Sequence, residues 1–109
     1  MNVYTLDAEL WQHALGKPYY FQTADGLVAL AFCLGAGKRV PDKGFSAHSG
    51  PEAFFVVSGE VQLVTESGKI TVPEGSLGVV SANEKHFTRN QGDKQARLIS
   101  FTPADGHGS

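Results

Sequence analysis

Apolar and polar positions divide this chain into one short helical stretch and a long succession of strands. From Ala8 to about Leu15 the pattern predicts a helix. Asp7 suits its N-cap, Leu6 and Trp11 occupy the positions of a hydrophobic staple, Gly16 suits the residue beyond its end, and Pro18 closes the exit. After Pro18 short apolar or alternating runs are punctuated by glycine, proline, asparagine and aspartate. Strands are predicted at Tyr19–Thr23, Leu27–Leu34, Phe54–Ser58 and Val61–Thr65. Four more follow at Lys69–Val72, Leu77–Ser81, His86–Asn90 and Ala96–Phe101. Asp25-Gly26 is a hairpin signal, and turns are expected at Gly59-Glu60, Ser67-Gly68, Pro73-Glu74-Gly75 and 90–93. A loop is expected from Gly35 to Gly44, and residues 103–109 read as a frayed tail. Many short strands at close turn spacing argue for an all-β sandwich or barrel rather than a βαβ fold.

The 109 residues fit one domain, with the barrel expected over about 18–102. Apolar residues make up 41% and charged residues 18%, which supports a packed core. The net charge is −2, and the only basic cluster is the pair Lys38-Arg39, so nothing favours a nucleic-acid partner. The single cysteine, Cys33, excludes an intrachain disulfide and reads as a small buried hydrophobe in an apolar strand. The N-terminus has neither a basic segment nor an apolar run of signal-peptide type, and the longest apolar run, Leu27–Leu34, is too short to span a bilayer. A cytoplasmic protein without a membrane partner is expected.

The candidate chemistry lies in HSGPEAFFVVSG, His48 to Gly59, and in HFTRN, His86 to Asn90. In an extended chain Ser46 and His48 point one way, Glu52, Phe54 and Val56 share a face, and so do His86, Thr88 and Asn90. A polar residue at one end of each strand, with apolar residues behind it, fits a polar site at a barrel mouth. Two imidazoles and a carboxylate suit a borderline divalent ion and leave coordination positions open. Singly, each has a plainer role: His48 bonded to backbone in a loop, Glu52 as a solvated charge at a strand entry, His86 as a turn cap. Only the joint spacing favours a site. No Ser-His-Asp set and no phosphate loop can be argued from the sequence.

These two segments resemble the motifs of the cupin superfamily, small single-domain, RmlC-like jelly-roll barrels. In the first motif the second histidine matches His48, the glutamate matches Glu52, and the glycine matches Gly59 after the six residues Ala53 to Ser58. The histidine and asparagine closing the second motif match His86 and Asn90, and Pro73-Glu74-Gly75 is similar to the turn between the motifs. The resemblance spans roughly Leu27 to Phe101. It departs at Ser46, which stands where the family has the first histidine of the pair, and the loop from Gly37 to Ser46 is longer than the motif allows.

The resemblance implies an antiparallel double-stranded β-helix, a jelly-roll barrel, with the short helix outside. It implies His48, Glu52 and His86 as ligands of one divalent transition metal (Fe, Mn, Ni or Zn). Ser46, Phe54, Thr88 and Asn90 are then expected in the pocket or bonded behind the ligands. The expected activity is that of an oxygenase, isomerase or lyase on a small polar organic molecule, with the catalytic residues unassigned. The alternative is a non-catalytic ligand-binding or sensor barrel with a decayed metal site. A weaker third reading is a metal-free epimerase using a histidine base and a tyrosine acid, for which Tyr19 and Tyr20 lie far off in sequence. A homodimer is expected.

Overall fold

A computed structural model describes residues 2–23 and 26–104. Two antiparallel sheets face one another as the layers of a jelly roll. The first has five strands in the order β1 (Tyr19–Phe21), β2 (Leu27–Leu34), β9 (Ala96–Pro103), β4 (Glu52–Ser58) and β7 (Leu77–Val80). The second has four, in the order β3 (Arg39–Val40), β8 (His86–Arg89), β5 (Glu60–Thr65) and β6 (Gly68–Pro73). The two sheets are separate hydrogen-bonded layers rather than one closed ring.

Strand parity builds the interior. Phe54 and Val56 of β4, Leu98 and Ala96 of β9, Leu34 of β2 and Val80 of β7 pack against Val61, Leu63 and Val72 of the second sheet. The opposite parity of β2 and β9 makes a second cluster. There Ala31, Cys33 and Ile99 are covered by Leu10 and Trp11 of the helix and by Ala14 just beyond its end. Cys33 is thus buried beneath the helix, and burial raises its thiol pKa against the opposing pull of Arg97.

The helix, α1 (Ala8–His13), starts as expected: the Asp7 carboxylate accepts from the Leu10 amide at 3.0 Å. It ends two residues before Leu15. The Ala14 carbonyl accepts from the Cys33 amide at 2.9 Å, so tertiary pairing with β2 draws the chain out of the helix. Trp11 is buried, whereas Leu6 is exposed and stands outside that cluster.

Strand edges differ from expectation where neighbours extend them. β4 begins at Glu52 because Glu52 pairs with Val80. β9 runs to Pro103 because Leu27 pairs with it, so Pro103 belongs to the sheet and not to a tail. The Ala104 amide also bonds the Gly26 carbonyl at 3.1 Å. β3 is a two-residue strand inside the predicted loop, paired with β8 through Arg39–Arg89 and Val40–Thr88. β1 and β2 pair as a hairpin, while Asp25 of the predicted turn and residues 105–109 of the predicted tail lie outside the described residues. Among the described residues no helix is long and apolar enough to cross a membrane.

Candidate metal centre

Three separate pieces of chain bring His48, Glu52 and His86 together. Glu52 opens β4 on its inward face, continuous with Phe54 and Val56. His86 opens β8 with the same inward parity as Thr88. His48 lies on the strand-like approach to β4. Its carbonyl accepts from the Asn83 amide at 2.6 Å, and two residues earlier Ser46 forms an antiparallel bridge with His86. Both bonds of that bridge are made: Ser46 N to His86 O at 2.8 Å and His86 N to Ser46 O at 2.9 Å. Residues directly opposite in an antiparallel pair carry their side chains on one face, so Ser46 stands beside His86 on the inward side.

His86 Nε2 lies 3.4 Å from Glu52 Oε1, and His48 Nε2 lies 3.7 Å from the same oxygen. One donor atom from each residue falls within 4.8 Å of the others. Ligand atoms about 2.0–2.2 Å from an ion at tetrahedral angles stand roughly 3.4 Å apart, close to the two contacts with Glu52, so the cluster could hold an ion.

The hydrogen bonds around the cluster orient it for that role. His86 Nδ1 donates to the Glu84 carbonyl at 2.8 Å, which fixes the tautomer with its lone pair on Nε2, facing Glu52. Ser100 Oγ donates to Glu52 Oε2 at 2.6 Å and leaves Oε1 toward the imidazoles. Thr102 Oγ1 donates to the Pro51 carbonyl at 3.0 Å and anchors the start of β4. The donor set fits a divalent ion: one carboxylate oxygen and two imidazole nitrogens, with Glu52 and His86 held from behind.

Without an ion these groups polarise one another. The hydrogen bond to Glu52 raises the His86 pKa; burial opposes this, and the Glu84 carbonyl adds to it. For Glu52, burial alone pushes upward, but bonds from His86 and Ser100 and the nearby imidazole charges outweigh it, so its pKa is lowered.

The cluster opens into a cavity of about 870 Å³ between the sheets, lined near the site by His48, Glu52, Thr88, Ser100 and Thr102. Phe54 forms part of its wall, and its ring tip lies over Gly78, where an added Cβ would approach to 2.5 Å. Asn90 is buried, but its hydrogen bonds are spent elsewhere. Nδ2 donates to the carbonyls of Leu34 and Lys94 at 3.0 and 2.7 Å, and Oδ1 accepts from the Gly92 amide at 2.9 Å. It therefore pins the β8–β9 turn to β2. Ser100 and Thr102 escaped the sequence reading because they lie in no motif. Their shared parity with Leu98 on the last strand is the signal that could have found them.

Comparison with known proteins agrees with this geometry. The family model described as a cupin domain matches residues 33–102. No curated protein matches the sequence. Among solved structures, the chain is similar to an uncharacterised conserved protein with a double-stranded β-helix domain from Klebsiella pneumoniae. The TM-score is 0.79 at 15% identity, covering 100% of this chain and 94% of that one. It is also similar to a protein from Thermus thermophilus, with TM-score 0.76, 18% identity, and 94% and 97% coverage. A cupin-2 domain protein from Shewanella frigidimarina gives 0.69 at 15% identity, with 81% and 80% coverage. At such identities the structural likeness speaks for the fold alone, while the family match spans well over half the chain. The two sheets, the inward-facing His-Glu-His cluster and that match agree: the chain belongs to the cupin family.

Proposed function

We propose that this cupin is a metal-dependent enzyme of the oxygenase, isomerase or lyase class, acting on a small polar organic molecule in the cavity between its sheets. The observation that carries the reading is the arrangement behind the ligand atoms. The Glu84 carbonyl turns His86 Nε2 toward Glu52, and Ser100 holds the far oxygen of Glu52. Backing of this kind is what metal ligands need and what a solvated ion pair lacks.

His48, Glu52 and His86 are the ligands in this reading. A bound divalent ion supplies Lewis-acid or redox chemistry at the positions the protein leaves open. Ser46, beside His86, leaves room that an imidazole would fill. Thr88 offers a hydroxyl at the cavity wall. The same reading makes the protein a homodimer joined through the uncovered outer face of the first sheet.

One observation favours a second reading. Ser46 removes the fourth side chain that the family pattern supplies, which would suit a barrel that binds its ligand without an ion.

A chelator-competition titration separates the two. Protein stripped of metal is titrated with Fe, Mn, Ni and Zn as wild type, His86→Ala and Ser46→His. Near-stoichiometric binding is expected for the wild type and loss of most of it for His86→Ala. Ser46→His should tighten binding on the order of tenfold, about 1.4 kcal/mol. Absence of binding with all four metals would replace the enzyme reading with the metal-free binding module.

A further inference from the structure

The cavity is much larger than its polar site. Beyond the cluster the segment from Gly35 to Asp42 lines part of it with Lys38, Arg39 and Asp42, and the first sheet supplies Leu30, Phe32, Leu34, Phe54 and Leu98, five side chains without a hydrogen-bonding group. They come from the inward faces of three adjacent strands. Leu30 is opposite Ser100, Ser100 is opposite Phe54, and Phe32 is opposite Leu98. The two hydroxyls on the same wall already have acceptors: Ser100 donates to Glu52 and Thr102 to the Pro51 carbonyl. Toward the rim this wall is flanked by the Tyr20 ring and Val40, with Arg39 and Asp42 also lining the cavity. A sugar or other polyol lying along this wall would leave its hydroxyls without partners. An aromatic or branched aliphatic body would trade water for matching apolar surface.

We propose that the site takes an amphiphilic ligand: an oxygen-donor head directed at His48, Glu52 and His86, and an apolar body the size of one or two rings along Leu30, Phe32 and Leu98. The head-group half rests on the metal-centre reading above; the apolar half rests on the wall alone. A volume of about 870 Å³ accommodates such a molecule, since pockets for drug-sized ligands run to roughly 300–1,000 Å³. This narrows the substrate from a small polar molecule to one that is polar at a single end.

The test uses three hydroxamic acids sharing one metal-binding head, titrated calorimetrically into zinc-loaded protein. Acetohydroxamic acid carries almost no body, 2-naphthohydroxamic acid an apolar one, and gluconohydroxamic acid a polyol. The naphthyl compound is expected to bind at least thirtyfold more tightly than acetohydroxamic acid, and the polyol compound no more tightly. Leu30→Asn, at a half-buried wall position, should cut the naphthyl advantage at least fivefold while leaving acetohydroxamic acid unchanged. Leu30→Trp, which fills the cavity without adding polarity, should do the same and guards against a folding defect in the first variant. Equal affinities for all three compounds, or a preference for the polyol, would overturn the apolar body while the metal centre stands. In parallel, 2-naphthol is titrated into metal-free protein by fluorescence. Binding of 2-naphthol with no binding of any hydroxamic acid would overturn the metal-directed head and the metal-centre reading together.

Discussion

At the scale of single residues, Glu52 and His86 tie stability to pH in the metal-free protein. Glu52 has a lowered pKa in the fold, so its contribution is present above its unfolded value of about 4.3 and is lost as pH falls through the lower folded value. His86 has a raised pKa, so its contribution is present below about 6.5 and is lost as pH rises through the higher folded value. Both operate together between those two unfolded values. Metal-free protein should therefore melt at a higher temperature at pH 5.5 than at pH 8. An ion needs both imidazoles neutral, so saturating metal should reverse that order. Thermal melts at the two pH values, with and without metal, check both signs. A metal-free protein more stable at pH 8 would show that the His86–Glu52 contact is not formed. The candidacy of these two residues as site residues was legible in their motif spacing. That of Ser100 was not, because its partner Glu52 is 48 residues away and only the pairing of β4 with β9 joins them.

At the scale of elements, the turn between β4 and β5 explains why a glycine stands at the end of the first motif. Gly59 has φ +80°, a conformation that side chains resist, and an added Cβ would lie 2.8 Å from the Gln95 carbonyl oxygen. Its amide donates to the Glu74 carboxylate at 3.0 Å, which locks this turn onto the Pro73–Ser76 turn. That second turn in turn bonds Val56 at both its amide and its carbonyl. Gly59→Ala should cost about 1–3 kcal/mol for the strained backbone alone, and more for the clash. Urea denaturation reads the loss directly, and a change under about 0.5 kcal/mol would contradict the close approach of β4–β5 to β9. The loop after β3 is of the opposite kind. Val40 pairs with Thr88 and Ser46 with His86, so residues 41–45 bulge out where one residue would face Phe87. Phe87 is held there between the Arg39 guanidinium, 3.6 Å from its ring centroid, and the Phe45 ring at 5.4 Å. The length of this loop was visible in the sequence. Its attachment, with Arg39 bonded to the carbonyls of Pro41 and Gly44, was not.

At the scale of the whole molecule, the helix covers only half of the outer face of the first sheet. The other half presents Phe55, Leu77, Val79, Phe101 and Leu27, each between 38% and 62% exposed. Cross-strand pairing joins them into one surface: Phe55 faces Leu77, and Ala53 faces both Val79 and Phe101. None of these residues carries a charge, and β7 is the sheet's edge strand. A second copy offers an equally uncharged, self-complementary face. Sedimentation velocity at micromolar concentration should find twice the monomer mass. Leu77→Lys with Val79→Lys should halve it without changing metal affinity, because both side chains point away from the cavity. A wild-type monomer would remove the dimer from the functional reading.

The sequence by itself determined the all-β class, every strand but β3 and most of their turns, the N-terminal helix, and the three residues of the candidate site. Each of these is a local property: strand parity, turn chemistry and motif spacing are readable within a dozen residues. Tertiary structure decided where elements end and what surrounds the site. Leu15 left the helix because Cys33 claimed its neighbour's carbonyl, and Pro103 joined a strand because Leu27 lay opposite. Asn90 carried the spacing of a site residue, yet its bonds hold a turn to β2. The apolar wall of the cavity follows from Leu30, Ser100 and Phe54 lying side by side, a juxtaposition of residues far apart in the chain. Such contacts depend on which strands become neighbours across the sheet, and no local pattern specifies that order.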